Sequence, residues 1–199
     1  RPTPVRLQED MMAYIRSRLG SWDGLILVDQ VSEANCGVLT SRMRKFLTAE
    51  ARRRPEKTCL ADSRERIHLF KHAILKPNQF EASQAVTGKR RRASLRAETE
   101  HARRLASAAR RPVFLTLAER GMLVADGQHI DHVKAFPVAG PIDPVGAGDS
   151  TSAAIVASLG AGATLVEAAT IANLVGSITV QQLATTGTAR PLQILQRYK

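Results

Sequence analysis

The residue types best suited to chemistry lie together between Asp143 and Asp149, in the run Asp-Pro-Val-Gly-Ala-Gly-Asp. Gly146 and Gly148 have no side chains, so nearby backbone N–H groups can approach an anion closely. An alanine-rich stretch with helical spacing follows, and the start of a helix carries positive partial charge. Asp149 lies at that start, where its carboxylate can accept a proton from an attacking hydroxyl. The run predicts an anion hole formed by Gly146, Ala147, Gly148 and the Asp149 amide, with Asp149 as the base.

The same run also has a purely structural interpretation. A strand-to-helix turn needs small residues, and Asp149 would then serve as the N-cap of the helix. A lone Gly-x-Gly pattern favours this second interpretation. On the residues alone, both interpretations stay open.

A second group of polar residues lies upstream, where Asn78 is followed three positions later by Glu81. This spacing is typical of a capping box at the start of a helix, which we expect to run to Val86. An amide and a carboxylate could also organise a metal–phosphate assembly, but the spacing alone favours the capping box.

Alternating strands and helices are expected to position these groups. Short continuous apolar runs predict buried strands, followed by a hairpin whose turn contains Asp126 and Gly127: Gly24–Asp29, Thr58–Asp62, His72–Lys76, 112–118, and 121–126 paired with 129–136. Apolar residues at helical spacing predict helices between and after them: Leu7–Leu19, Val38–Ala51, 78–86, Ser94–Ala109, Asp149–Leu159, Leu165–Gln182 and one near the C-terminus. The pattern indicates a single α/β domain over residues 1–199, a three-layer α/β/α sandwich with a mostly parallel sheet.

Composition narrows the class of protein. The chain is 44% hydrophobic and 24% charged, which is typical of soluble globular proteins. Neither a run of about 20 apolar residues nor a secretory signal is present, so we expect no membrane association and a cytoplasmic location. Cys36 and Cys59 show neither metal-ligand spacing nor a disulfide framework.

The net charge of +11 is spread unevenly along the chain. Residues 89–111 contain nine Lys or Arg and two Glu, and a second basic cluster covers residues 42–57. Such runs can bind nucleic acid or a membrane surface, but a solvated arginine-rich helix surface is the preferred interpretation. Aromatic residues, which stack on bases, make up only 4% of the chain.

Taken together, these motifs resemble those of the ribokinase (PfkB) family of carbohydrate kinases. The run from Asp143 to Ser150 is similar to the family signature Asp-Thr-x-Gly-Ala-Gly-Asp, with Pro144 in the place of Thr. Asn78 and Glu81 are similar to the family's Asn-x-x-Glu motif. This resemblance implies a kinase that uses ATP and Mg²⁺, with Asn78 and Glu81 organising the metal through water.

The resemblance also implies further contacts to the nucleotide. Residues 114–121, including Thr116 and Gly121, resemble the strand and turn that line the nucleotide phosphates, although Ala118 stands where the family usually has Gly. Asn173 lies on a helix similar to the wall of the family's adenine pocket. Asp143 and the Val145 carbonyl match ligands of a monovalent cation, so K⁺ is a further expectation, with the loop 184–188 supplying more ligands.

The resemblance covers the later portion of the family's length. The family's Gly-rich substrate motif and β-lid, both near its N-terminus, have no match here, so a homodimer built through a lid is a weaker expectation. Asp29 and Asn35 follow the first strand and are weak candidates for substrate contact; a strand-end acid and a turn residue are equally good interpretations.

The predicted function is transfer of the ATP γ-phosphoryl group to a hydroxyl of a sugar or sugar phosphate. The tail at residues 180–191 resembles heptose-phosphate kinases, which favours a sugar phosphate. A nucleoside kinase is the first alternative, and a nucleotide-binding module without catalytic activity is the second. A nucleic-acid-binding protein, suggested by residues 89–111, is the third and the least favoured.

Overall fold

The computed structural model describes residues 1–199 as six strands and seven helices. The strands are numbered in chain order: β1 Gly24–Asp29, β2 Thr58–Ser63, β3 Ile74–Leu75, β4 Val113–Thr116, β5 Met122–Ala125 and β6 Ile130–Val133. The helices are α1 Val5–Arg18, α2 Ser41–Arg53, α3 Gln79–Thr87, α4 Leu95–Ala109, α5 Ala147–Gly160, α6 Leu165–Thr179 and α7 Pro191–Tyr198. None of these helices combines the length and the apolar character that crossing a membrane demands.

All six strands form one sheet in chain order, β1-β2-β3-β4-β5-β6. The first four strands pair in parallel, and β5 and β6 then pair antiparallel. Only β5 therefore runs against the others, which confirms the predicted mostly parallel sheet. Helices α3 and α4 connect β3 to β4, whereas a short turn at Asp126 and Gly127 connects β5 to β6.

Two hydrophobic clusters on opposite faces of the sheet give the three layers. The larger one contains 20 buried residues and joins β-strand side chains to α2, α3 and α4, for example Met43, Leu75 and Leu105. The smaller one contains nine and joins the other face to α5 and α6, for example Phe114 and Ile155. The three-layer α/β/α sandwich is confirmed.

Several predicted boundaries were wrong, and each has a specific cause. Strand β3 is shorter than 72–76, because His72 adopts a left-handed backbone conformation (φ 59°) that a strand cannot continue through. Helix α2 begins at Ser41, not Val38, because the Thr40 hydroxyl caps it by accepting from the Met43 amide at 3.1 Å. Helix α6 ends at Thr179, short of the predicted Gln182, and the Val180 carbonyl accepts from the Asp143 amide instead.

Candidate active site

The carboxyl ends of β2, β3 and β4 open into one cleft. In open α/β sheets, this edge is where ligands bind. The cleft is closed on its other sides by the segment leading into α5, by the start of α5 and by α6. Its lining includes Asp62, Lys76, Thr116, Gly148, Asp149 and Asn173. The topology thus brings together residues that lie far apart in the sequence.

The glycine-rich run forms the turn into α5. Gly146 has a left-handed backbone (φ 78°) and is the N-cap, so the helix begins at Ala147, two residues earlier than predicted. A Cβ at Gly146 would lie 2.7 Å from Cγ2 of Thr186, so the loop after α6 packs directly against this turn. Asp149 is in the first turn of the helix and is not its N-cap, so the N-cap position suggested for it in the structural interpretation was wrong.

The first turn of α5 supplies two free amide donors. The Ala147 amide donates to the carbonyl of Pro144 at 3.2 Å, and its place in the anion hole stays a prediction. The amides of Gly148 and Asp149 have no backbone acceptor, as expected for the first turn of a helix. Both residues are exposed to the cleft, so their amides and the positive end of the helix face a ligand there.

A buried lysine that the sequence analysis did not single out lies against this turn. Lys76 follows β3, is 4% exposed, and its Nζ lies only 3.9 Å from where a Cβ on Gly148 would be. Its Nζ pairs with Oδ2 of Asp62, the penultimate residue of β2, at 2.8 Å. Ser152 on α5 donates to the same oxygen at 3.3 Å. The sequence did contain a signal for this pair, because Asp62 and Lys76 each stand at the end of an apolar run that predicts a buried strand.

Asn78 and Glu81 begin α3, and the predicted capping box is present. The Asn78 Oδ1 accepts from the amides of Phe80 and Glu81, both at 2.9 Å, and the Glu81 Oε2 accepts from the Asn78 amide at 2.8 Å. Both residues also line the cleft, so capping and a role in the site are compatible. Burial raises the pKa of the Glu81 carboxyl, and the Asn78 amide and Lys76 act in the opposite direction.

The turn after β4 forms another wall, and Thr116 and Gly121 both line the cleft. Asn173 on α6 lines it as well, and its Nδ2 donates to the carbonyls of Val133 and Lys134, both at 3.1 Å. Asn173 therefore ties α6 to the β5–β6 hairpin, while it also lines the cleft.

Gly121 has a backbone conformation and a packing environment that only glycine can satisfy. Its φ is 90°, and a Cβ there would overlap the Val133 carbonyl oxygen and lie 2.6 Å from the Ala135 amide nitrogen. We expect Gly121→Ala to lower the free energy of unfolding by about 3 kcal/mol, measured by urea denaturation. Gly127→Ala in the same hairpin is the matched control: φ is 99° but nothing lies within 4 Å, so a loss of about 1 kcal/mol is expected. Equal losses in the two variants would contradict the steric argument.

Asp143 connects the turn that contains Gly146 and Gly148, called the glycine turn below, to the loop after α6. Its Oδ1 accepts from the Val145 amide and its Oδ2 from the Ala184 amide, both at 3.0 Å. Ser150 adds a hydrogen bond to the Gly187 carbonyl at 2.9 Å. Asp143 is thus held next to the loop 184–188, and cation binding there stays a prediction.

The structure does not bring Asp29 and Asn35 into the lining of the cleft. Asp29 is buried, accepts from the Ser63 hydroxyl at 2.9 Å and pairs with Arg66 at 3.5 Å. Asn35 has a left-handed backbone (φ 64°), and its Oδ1 accepts from the amide and the hydroxyl of Ser41, the first residue of α2. Substrate contact by either residue stays a prediction.

Solved structures with this architecture are ribokinase-like sugar kinases. The chain superposes on phosphofructokinase-2 from Escherichia coli, crystallised in complex with potassium, with a TM-score of 0.78 at 20% identity, over 99% of this chain and 62% of that chain. Ribokinase from Arabidopsis thaliana, complexed with ribose and ATP, gives 0.67 at 18% identity, over 87% of this chain and 55% of that chain. At these identities the likeness establishes the fold.

The sequence establishes the family. A profile of the pfkB family carbohydrate kinases matches residues 23–191, so the chain belongs to that family. The bifunctional protein HldE of Bradyrhizobium sp. (strain ORS 278) is 28% identical over 194 residues, covering 92% of this chain and 37% of that protein. HldE of Caulobacter vibrioides is 31% identical over 179 residues, covering 88% and 36%. The chain spans little more than a third of the length of these curated relatives.

Proposed function

We propose that this chain transfers the γ-phosphoryl group of ATP to a hydroxyl of a sugar or a sugar phosphate. One observation carries the proposal: two free amides, a buried lysine and an exposed carboxylate converge at the start of α5. Phosphoryl transfer demands positioning, charge neutralisation and a base, and these groups supply each of them.

Asp149 is the base in this proposal. It is exposed to the cleft, beside the two amides that would hold the transferring phosphoryl group. Its carboxylate accepts the proton of the acceptor hydroxyl as the new O–P bond forms, while the bond from the γ-phosphorus to the β,γ-bridging oxygen breaks and ADP leaves. The amides of Gly148 and Asp149 and the ammonium of Lys76 stabilise the negative charge on the phosphoryl oxygens.

The site suits a magnesium ion that is bound together with the nucleotide. No three histidine, cysteine or carboxylate side chains converge on one point of this chain. Mg²⁺ usually takes one or two carboxylates, with water and phosphate oxygens completing its shell. Glu81 and Asn78 would hold it through water, and Mg²⁺ would neutralise phosphate charge during transfer. A K⁺ ion held by Asp143 and the Val145 carbonyl would make the glycine turn more rigid.

Within the acceptor class, the position of Arg64 favours a sugar phosphate over a neutral sugar. Arg64, which follows β2, lines the cleft beside Gln30, on the side of Asp62 and away from the β5–β6 hairpin. A cation there complements an anionic acceptor. The nucleoside kinase and the catalytically silent nucleotide-binding module remain the alternatives.

The proposal is tested by ATP and ADP calorimetry with Mg²⁺ and with or without K⁺, comparing the wild type with Gly148→Ala. The added Cβ would meet only the Lys76 Nζ, at 3.9 Å, so the variant should fold normally. It would, however, fill the space between the amides, and we expect ATP affinity to fall roughly tenfold or more. Gly160→Ala at the far end of the same helix, with nothing within 4 Å, should bind like the wild type.

A phosphorylation assay with a panel of sugars, sugar phosphates and nucleosides then identifies the acceptor class. ATP binding without turnover on any acceptor would favour the binding module. A folded wild-type chain that binds neither ATP nor ADP would overturn the proposed function.

A further inference from the structure

The turn after β4 has a strained shape. Residues 118–121 contain two left-handed positions, Ala118 (φ 55°) and Gly121 (φ 90°), and both line the cleft. Gly121 adopts such a conformation at little cost, but an alanine does so only against its steric preference. A strained non-glycine residue persists only where the surroundings hold it in place. The contacts that hold Ala118 in this shape are therefore informative.

Those contacts converge on Arg120, between the two left-handed positions. Its Nη1 and Nη2 donate to the two carboxylate oxygens of Glu98, both at 2.8 Å, in a bidentate pair. Nη2 also donates to Oε1 of Gln79 at 2.7 Å. Glu98 belongs to α4 and Gln79 to α3, so a single side chain fastens the turn to both helices that precede β4. We call these three residues the Arg120 clamp.

The backbone of the turn is fastened from the opposite side as well. The Leu117 amide donates to the Gly121 carbonyl at 2.7 Å. The His132 Nε2 lies 2.7 Å from the Arg120 carbonyl, which joins the turn to β6. Arg92 and Glu119 add an exposed ion pair at 2.7 Å, which contributes little because both partners are solvated.

The burial of Glu98 argues that the clamp does more than stabilise the core. Glu98 is fully buried at 0% exposure, and Gln79 is 7% exposed. Burying a carboxylate is costly, and well-packed apolar side chains would often stabilise such a position equally well. What a bidentate Arg–carboxylate pair adds is a fixed direction for the guanidinium, and through it for the backbone of residue 120.

We propose that Glu98 and Gln79 are positioning residues for the nucleotide site, which hold Arg120 so that the turn 118–121 presents its backbone to the nucleotide in the strained shape. This inference rests on the proposed function, because it assigns a ligand to the cleft that this turn lines. Neither residue lies in the glycine turn, and Glu98 reaches the site only through Arg120.

The test combines Glu98→Gln with Ala118→Gly. Without the charge on residue 98, the turn relaxes from its strained shape, and we expect the Kd for ATP with Mg²⁺ to rise roughly tenfold. Glycine adopts the left-handed conformation without strain, so Ala118→Gly should restore most of the affinity in the double variant. This non-additivity in Kd is the signature of positioning.

Two further measurements keep the result interpretable. Glu100→Gln on the same helix removes an exposed pair with Arg103 (2.9 Å) and should change neither the Kd nor the exchange of the turn amides. Gln79→Leu is a milder clamp variant, to be used if Glu98→Gln does not fold. Hydrogen exchange of the amides of residues 118–121, measured without nucleotide, should accelerate at least severalfold in the clamp variants.

The outcomes separate the inference from the proposed function. Unchanged Kd and unchanged exchange in folded clamp variants would overturn the inference while leaving the function intact. The clamp variants could instead change only the melting temperature, with an equal Kd in the wild type, Glu98→Gln, Ala118→Gly and the double variant. The clamp would then have only a structural role, and the inference would be overturned. If the wild type binds no nucleotide, the proposed function is wrong. The positioning role depends on that function and would then be wrong as well.

Discussion

Asp149→Asn is expected to lower turnover by roughly 10²- to 10⁴-fold, the usual worth of a positioned general base. Asparagine has almost the same shape, but its amide cannot take the proton of the acceptor hydroxyl. The backbone amides of residues 148 and 149 and the Lys76 ammonium are unchanged, so ATP affinity should stay within about threefold of the wild type. The variant should therefore bind ATP almost as well as the wild type but phosphorylate the acceptor much more slowly.

The measurement is steady-state phosphorylation of the acceptor identified by the panel, alongside ATP calorimetry on the same preparations. Asp131→Asn, an exposed carboxylate on β6, is the matched control and should behave like the wild type in both assays. Turnover near the wild-type level in Asp149→Asn would remove it as the base. Asp62 would then be the next carboxylate of the cleft to test, since it lies beside Lys76.

Local patterns were enough to predict most of the fold. Strand β1 has the predicted bounds, and β2 extends one residue further, because each is a continuous apolar run ending in a polar residue. Asn78 caps α3 as expected, since a capping box depends on residues only three positions apart. Of the boundaries that failed, the start of β3 and the end of α6 involve contacts between distant residues, such as the hydrogen bond from the His72 amide to the Ala109 carbonyl.

The site was predictable where its chemistry lies in one stretch of sequence, and it was not where the chemistry is assembled across strands. The glycine turn and Asp149 share one local motif, so their proximity follows from the sequence. Lys76 and Asp62 are 14 positions apart and meet because β2 and β3 are parallel neighbours whose ends coincide. Their pairing requires the strand order, which composition and periodicity do not supply.

The shape of the turn after β4 likewise depends on contacts between residues that are distant in the sequence. The sequence shows Ala118 where the resemblance expects glycine, and it offers no reason why alanine is tolerated. The structure supplies one in the ion pair between Arg120 and Glu98, which are 22 positions apart. We therefore infer that contacts to α3 and α4 compensate for this departure from the family pattern.

Lys76→Met should have the second largest effect, on stability and on nucleotide binding together. It leaves the Asp62 carboxylate, which is 14% exposed, without its cation, so we expect the free energy of unfolding to fall by about 2 kcal/mol. It also removes the one ammonium that lies against the glycine turn, so ATP affinity should fall roughly 10- to 100-fold, as for a lost hydrogen bond to a charged group. Urea denaturation and calorimetry measure the two effects separately.

The double variant Lys76→Met with Asp62→Asn separates the two roles of this lysine. It removes both charges, so no carboxylate is left unpaired and most of the lost stability should return. If Lys76 contacts the phosphate groups of ATP, the affinity of the double variant stays low, because the cation is still absent. If Lys76 serves only as the partner of Asp62, affinity returns with stability, and the lysine is then part of the scaffold of the cleft. Since Nζ lies 3.9 Å from the space that a Gly148 Cβ would fill, we expect stability to return without affinity.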